Sequence, residues 1–524
     1  MNPVFLLFVG LAPIVWLFLG LCVFRLPGHK ACPGGLIFAA LLALFALGEA
    51  PFDVATAALE GVIFAFWPIL LVITAAMAPF RYSVHTGGME TIKTMLTGIS
   101  RDKRVLVLIL AWGFGGFLEG IAGFGVPVLI PGSILVSLGF SPMSAVVACL
   151  VANSMPTPFA AVGTPVAALA GVTGLDAGVL GFNVAAQLYI PCLILPFFLV
   201  MLTGGGIHAV KGVFRITLVA GLAFALPILL IARFIGPELP TLIGSVCAVV
   251  CVSLASKRFY RDDEHNRRYQ VEGAANQRLS DGGTQSGADG DASLPGIFQA
   301  CLPFALVLVL VTATSLIEPL HDKMARIGFN AVVYTGAGGH ALNFALLLTP
   351  GILILISLVI ASFMQGVRLL ELVGVVGRTV RESGNMAVTI ISIVAMAKIM
   401  DYSGMIDAIA VFLIAAFAGF YPLVAPVIGM LGTFITGSDT ACAILFGNLQ
   451  AGAARAIGQD PAWIASAGLS AAAAGKMISP QSVAIGLRIG GLEGKEGEII
   501  RKTLKYALIC TAMISLITFG GAAF

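Results

Sequence analysis

The sequence predicts an all-α polytopic membrane protein, with about 12–14 transmembrane helices plus re-entrant or broken ones arranged as inverted repeats. Composition is the first observation: 59% of the 524 residues are hydrophobic and 10% charged, where a soluble domain carries about 25% charge. Mean hydropathy is +1.02. The second is that apolar runs approach the roughly 20 residues needed to cross hydrocarbon again and again. The third is that several of these runs break on glycine, proline and charge.

The runs occur at 4–24, 34–50, 61–80, 105–118, 121–139, 142–171, 179–203, 214–235 and 239–256. They resume at 297–317, 343–366, 386–400, 405–419, 421–437, 440–456, 462–487 and 503–523. No basic stretch precedes the first; Arg25 and Lys30 follow it. That pattern favours a retained first helix with an outside N-terminus over a cleaved signal. Residues 257–295 are rich in charge, Gly, Ser and Asn without apolar period, and read as a solvated linker.

Basic residues cluster at Arg25/Lys30, 81–104, Lys211/Arg215, 257–278, 368–381 and 495–505, whereas the loops 50–60 and 171–178 hold acids alone. Placing every basic cluster in the cytoplasm is self-consistent, with both termini outside. The net charge of +3 is small and lies beside apolar runs, so it indicates orientation and not nucleic acid. Nine cysteines show no CxxC, which argues for buried thiols and against disulfides or zinc. No motif requires a cofactor or a bound metal.

Orientation exposes a repeat. The run at 61–80 enters from outside and precedes Glu119 and Asn153; the run at 386–400 enters from the cytoplasm and precedes Asp439 and Lys476 at similar spacing. The halves 1–203 and 296–524 therefore read as inverted repeats, with 204–256 an inserted helical hairpin. Such repeats are typical of secondary transporters, whose site lies where discontinuous helices meet near the midplane.

Each half contains two breaks: "EGIAGFGVP" (119–127) and "NSMPTPFAAVGTP" (153–165), then "TGSDTACA" (436–443) and "GKMISPQSVA" (475–484). Glycine and proline interrupt helices, and freed backbone groups in hydrocarbon cost several kcal/mol unless protein or water meets them. Unwound carbonyls suit a cation, and half-helix N-termini suit an anion. Candidate backbone positions are Gly120, Gly123, Gly125, Gly163, Gly437 and Gly475. Candidate donors to a substrate are Asn153, Ser154, Thr157, Thr164, Ser438, Lys476, Ser479 and Gln481. Candidate proton carriers are Glu119 and Asp439, because desolvation favours the neutral form of a carboxyl group.

Each has a structural reading beside the functional one. Gly116 and Gly120 form a GxxxG that also serves close helix packing. Glu119 and Asp439 can be structural ion pairs, although an intramembrane charge costs at least about 2.5 kcal/mol and so points to function. Lys476 can snorkel to the interface. The hydroxyls and Asn153 can simply satisfy backbone at the breaks. Lys398 and Asp401 fit a membrane-end pair or a gate. His85, His208 and His321 fall in loops and read as solvated.

Residues 116–166 closely resemble the core of the bacterial lactate permease family, as do "GTFITGSDTACAILFGNLQ" (432–450), "GKMISPQSVAIG" (475–486) and "DYSGM" (401–405). The resemblance runs along nearly the whole chain, least at the linker. It implies proton-coupled uptake of L-lactate, D-lactate or glycolate across the bacterial inner membrane. It also implies a carrier with paired re-entrant hairpins, often an elevator-like homodimer in the lipid. The chain departs from family patterns at Ile121 and Val126, and at Ala441 and Cys442, each change making the surroundings less polar. Sodium coupling, or another small organic anion, is the alternative carrier reading. An enzyme is disfavoured, since HExxH and GxSxG are absent and "GKM" lacks the Ser or Thr of a Walker A motif. A channel is disfavoured by the asymmetric acid-bearing breaks.

Overall fold

The computed structural model describes residues 3–24, 26–123, 125–260, 264–271, 295–336, 339, 341–489, 491–492 and 495–522. Among these, nine helices are long and apolar enough to cross a membrane, and the bent pair Pro142–Ala152 and Thr157–Thr173 makes ten. Five shorter apolar helices join them, including Val126–Ser137 and Tyr421–Thr436. Those two flank breaks, where a single polar interruption divides one long run into two partial ones.

Local chemistry explains where the helices start and stop. Ser141, Asp176, Ser438, Asp460 and Ser479 each accept a backbone N–H from the first turn of the helix they open. Capping of this kind stabilises a helix by about 1 kcal/mol. Proline stands in the first turn of the helices beginning at Pro142, Pro461 and Pro480, where its missing N–H costs nothing.

The segment Lys103–Ile121 is the most enclosed, with 94% of its apolar window buried. It packs against the hairpin formed by Phe214–Phe234 and Pro240–Phe259. A Cβ at Gly116 would lie 2.6 Å from Ser245 Oγ, and one at Gly120 would lie 2.9 Å from Leu242 Cδ2. Both glycines are helical. Gly120 thus lets two helices approach, and it is not unwound backbone as its motif suggested.

Gly475 is likewise helical, inside Pro461–Lys476, and its α-carbon faces the carbonyl of Met430. Gly429 similarly faces the backbone of Gly468 on the same helix pair. Overpacking a well-filled contact costs about 1–3 kcal/mol. Gly475→Val should therefore lower the temperature at which detergent-purified protein loses its monodisperse peak, whereas a lipid-facing change such as Val427→Ala should not.

One succession of three elements occurs twice along the chain. A broken helix, then a second broken helix, then a 27-residue helix occurs at 115–137, 142–173 and Ala177–Thr203. It recurs at 421–456, 461–487 and Glu496–Ala522, which also has 27 residues.

Two features depart from the all-helical, linker-separated picture. Gly328–Val332 and Ala341–Ala345 form an antiparallel ribbon in which the rings of Phe329 and Phe344 stack 4.7 Å apart. Its sequence is rich in Val, Phe, Tyr, Asn and Gly and lacks helical periodicity. In the linker, residues 264–271 are docked, with Asn266 and Val271 buried. Fully buried Arg104 holds them there. It pairs with Asp102 (2.6 and 3.0 Å), donates to the carbonyls of Ala209 and Lys211 and to Asn266 Oδ1, and lies 3.9 Å over the Tyr269 ring. All five guanidinium donors are used, which makes burial of the charge tolerable. The solvated reading of 261–263 and 272–294 lies outside the described residues.

Candidate functional site

The four breaks meet at one cavity. In the first, the helix Gly115–Ile121 ends and Val126–Ser137 begins, with Gly123 (φ 57°) and Gly125 (φ 88°) in the left-handed region between them. A side chain at Gly125 would collide with Ile485 of the fourth break. In the third, Gly437 (φ 70°) separates Tyr421–Thr436 from Asp439–Ala456, and a side chain there would collide with Gln481. Glycine is required at both places by backbone conformation and by space.

The second break is strained. After the turn at Thr157–Phe159, three consecutive residues turn left-handed: Ala161 (φ 43°), Val162 (φ 56°) and Gly163 (φ 75°). A non-glycine residue pays about 1–2 kcal/mol there, and such strain concentrates at ligand sites. Gly163 itself is wedged against the carbonyl of Pro237, in the turn between the helices Phe214–Phe234 and Pro240–Phe259. Glu238 of that turn is half-buried, and loss of water pushes its carboxyl from 4.5 up to about 7.

The cavity holds about 50 Å³, room for about four water-sized groups at roughly 10–15 Å³ each. Glu119, Asp439 and Lys476 line it, with Thr157, Thr164, Ser438, Gln481, Gly123, Gly125 and Gly437. Lys476 Nζ donates to Glu119 Oε1 at 2.8 Å, across 357 positions of sequence. Glu119 Oε2 and both oxygens of Asp439 are buried without a hydrogen-bond partner among the described residues. Thr157 and Thr433 stand beside the Asp439 carboxyl. The helices Asp439–Ala456 and Pro480–Leu487 both begin at the cavity, which brings their positive dipole ends to it. An anion entering here meets one ammonium, two helix N-termini and two competing carboxylates.

Not every candidate belongs to the wall. Asn153, Ser154, Ser479, Gly120, Gly163 and Gly475 do not line the cavity. The Ser154 hydroxyl donates to the Val151 carbonyl at 2.8 Å, and Ser479 caps the Pro480–Leu487 helix. Thr157 and Thr164 donate to the carbonyls of Ser154 and Ala161, both at 2.6 Å, while also standing on the wall. Ile73, Ile485, Thr440 and Ser482 also line it. Ser482 lies within a motif that sequence reading singled out, but an isoleucine in an apolar run carries no signal.

A third buried ion pair, after Arg104–Asp102 and Lys476–Glu119, lies apart from the cavity. Lys398 Nζ reaches Glu60 Oε1 at 2.8 Å, the Tyr402 hydroxyl donates to the same oxygen, and the Tyr334 N–H donates to Glu60 Oε2. Tyr334 and Tyr402 stack 3.7 Å apart above it. This cluster ties the loop that leaves the strand Gly328–Val332 to the helices Pro51–Phe64 and Gly384–Tyr402. Lys398 thus serves an inter-helix pair. His85 is half-exposed, with Nε2 3.8 Å from Glu371.

Many apolar helices around a small, charged cavity built from broken segments define a membrane carrier. The family model for L-lactate permease matches residues 7–522, so the chain belongs to the L-lactate permease family. It is 43% identical over 460 residues to an L-lactate permease of Streptococcus iniae, covering 87% of this chain and 93% of that one. It is 33% identical to the glycolate permease of Escherichia coli K12 and 30% identical to an L-lactate permease of Bacillus subtilis. Each of those alignments covers 97% of this chain and 94% of the relative. Its fold is similar to the YdaH transporter of Alcanivorax borkumensis, a crystal structure described as having an unusual topology. That likeness has a TM-score of 0.50 at 14% identity, over 93% of this chain and 98% of the other.

Proposed function

We propose that this chain is a proton-coupled symporter that takes L-lactate, D-lactate and glycolate across the bacterial inner membrane. The observation that carries the reading is the Glu119–Lys476 pair beside the unpartnered Asp439 carboxyl. Among the described residues that line the cavity, Lys476 is the one cation. With all three groups ionised the site bears one net negative charge. A monocarboxylate entering with one proton leaves that charge unchanged, whereas the anion alone would double it. Protonation of Glu119 also releases Lys476, which then holds the substrate carboxylate. Proton and anion are in this way bound together or not at all.

The cavity's size supports small hydroxy acids, since about four water-sized groups approach the dimensions of glycolate and lactate. The hydroxyls of Thr157, Thr164 and Ser438 and the Gln481 amide are within reach of a substrate hydroxyl, and Ile73 and Ile485 supply an apolar wall. The two halves act as inverted repeats around this site, 204–256 as an inserted hairpin, and the linker 257–295 lies in the cytoplasm with both termini outside. Two copies form the working unit.

Uptake of labelled L-lactate into proteoliposomes, with an inward proton gradient in sodium-free buffer, tests the reading. Accumulation that collapses with a protonophore, and competition by D-lactate and glycolate but not by succinate, is the expected result. A strict sodium requirement, or competition by succinate alone, would overturn it in favour of another ion-coupled anion carrier.

A further inference from the structure

We infer that the helix Leu369–Glu382 lies in the plane of the membrane surface and docks anionic phospholipid headgroups through Arg378 and Arg381. This 14-residue helix is about 21 Å long and joins Pro350–Gln365 to Gly384–Tyr402. At about 100° per residue it has three distinct faces. Leu372, Val375 and Thr379 are buried, and the first two pack with Ala78 and Tyr82 of the helix Leu71–His85. A second apolar arc, formed by Leu369, Leu370, Val373, Gly377 and Val380, spans roughly 100° and is exposed. Leu370 is 84% exposed and Val373 59%, and the preceding turn adds Phe363 at 70%. No other part of the described chain covers this arc.

Charge selects the occupant. Glu371 and Glu382 face back to the protein, where they meet His85 and Arg81. Arg81 pairs with Glu382 there, and His85 Nε2 stands 3.8 Å from Glu371 Oε2. Arg381 borders the exposed apolar arc and Arg378 stands one step further round, while Arg368 is at the N-cap. None of the three has a carboxylate partner among the described residues; Arg378 Nε donates only to the Gly374 carbonyl. An apolar arc rimmed by unneutralised arginines fits acyl chains below and phosphate above. A wholly apolar partner surface would leave the arginines unpaired, and a purely aqueous setting would leave the arc wet. The same helix braces Leu71–His85, which places Ile73 in the cavity wall.

The test uses full-length protein in phosphatidylcholine vesicles with and without phosphatidylglycerol, following backbone hydrogen exchange through residues 369–382. Exchange should slow in the anionic vesicles by roughly fivefold per arginine engaged, the equivalent of about 1 kcal/mol each. Added salt should diminish the difference. R378Q/R381Q should abolish it, and R378K/R381K should retain it. Unchanged exchange in Ala177–Thr203 verifies that the variants are folded. Equal exchange of wild-type protein in both vesicles would overturn the inference. So would protection that follows protein density instead of lipid charge, since a second copy would then cover the arc.

Discussion

Lys476→Gln should reduce gradient-driven lactate uptake by about 10²- to 10³-fold, the largest single effect expected in the molecule. Losing one partner of a buried, hydrogen-bonded charge pair costs about 2–5 kcal/mol, and Lys476 is the one cation on the described cavity wall. The substrate carboxylate then has only helix N-termini and neutral donors to meet it, against two carboxylates. The loss should appear in apparent affinity as well as in rate. Part of any single-variant effect is structural, because Glu119 is left buried beside no cation; an uncompensated buried charge costs about 3–5 kcal/mol of stability. Glu119→Gln/Lys476→Gln separates the two contributions. The double variant should recover thermal stability and remain transport-defective. If it recovered uptake as well, Lys476 would serve only to neutralise Glu119.

The fold and the breaks were legible in the sequence because bilayer crossing demands long apolar runs and punishes exceptions. Gly123, Gly125, Gly437 and the polar residues around them stand out against such a background, and the structure puts their helix ends within three or four residues of the motifs. The pairing of Glu119 with Lys476 was not legible. Sequence spacing marks both as misplaced charges, but nothing in it reports that the first and fourth breaks touch. Polar residues at breaks were over-read for a related reason. Asn153, Ser154 and Ser479 have the same chemistry whether they satisfy local backbone or greet a substrate, and only geometry assigned Ser154 and Ser479 to the former. Ile73 and Ile485 were invisible because an apolar wall residue and a lipid-facing one look alike in a hydrophobic run. The linker misled in the opposite sense: Asn266 looked solvated, yet it is buried and its Oδ1 accepts from Arg104.

Glu119→Gln should uncouple transport instead of stopping it. The amide imitates a permanently protonated Glu119, so Lys476 is free in every state and the anion no longer needs a proton to claim it. Counterflow, in which internal unlabelled lactate draws in labelled lactate without a gradient, should persist. Accumulation against a concentration gradient should fall to equilibration. Asp439→Asn is the discriminating comparison. It lowers the site's negative charge without touching the 2.8 Å contact between Lys476 and Glu119. On the proposed mechanism it therefore retains proton-driven accumulation, with a changed apparent affinity. The reverse outcome, accumulation kept in Glu119→Gln and lost in Asp439→Asn, would assign the proton to Asp439, whose two unpartnered oxygens are the other place in the cavity for it. Full accumulation in both variants would make the two acids structural and send the coupling proton elsewhere, with Glu238, held near 7 beside the strained second break, the next group to change.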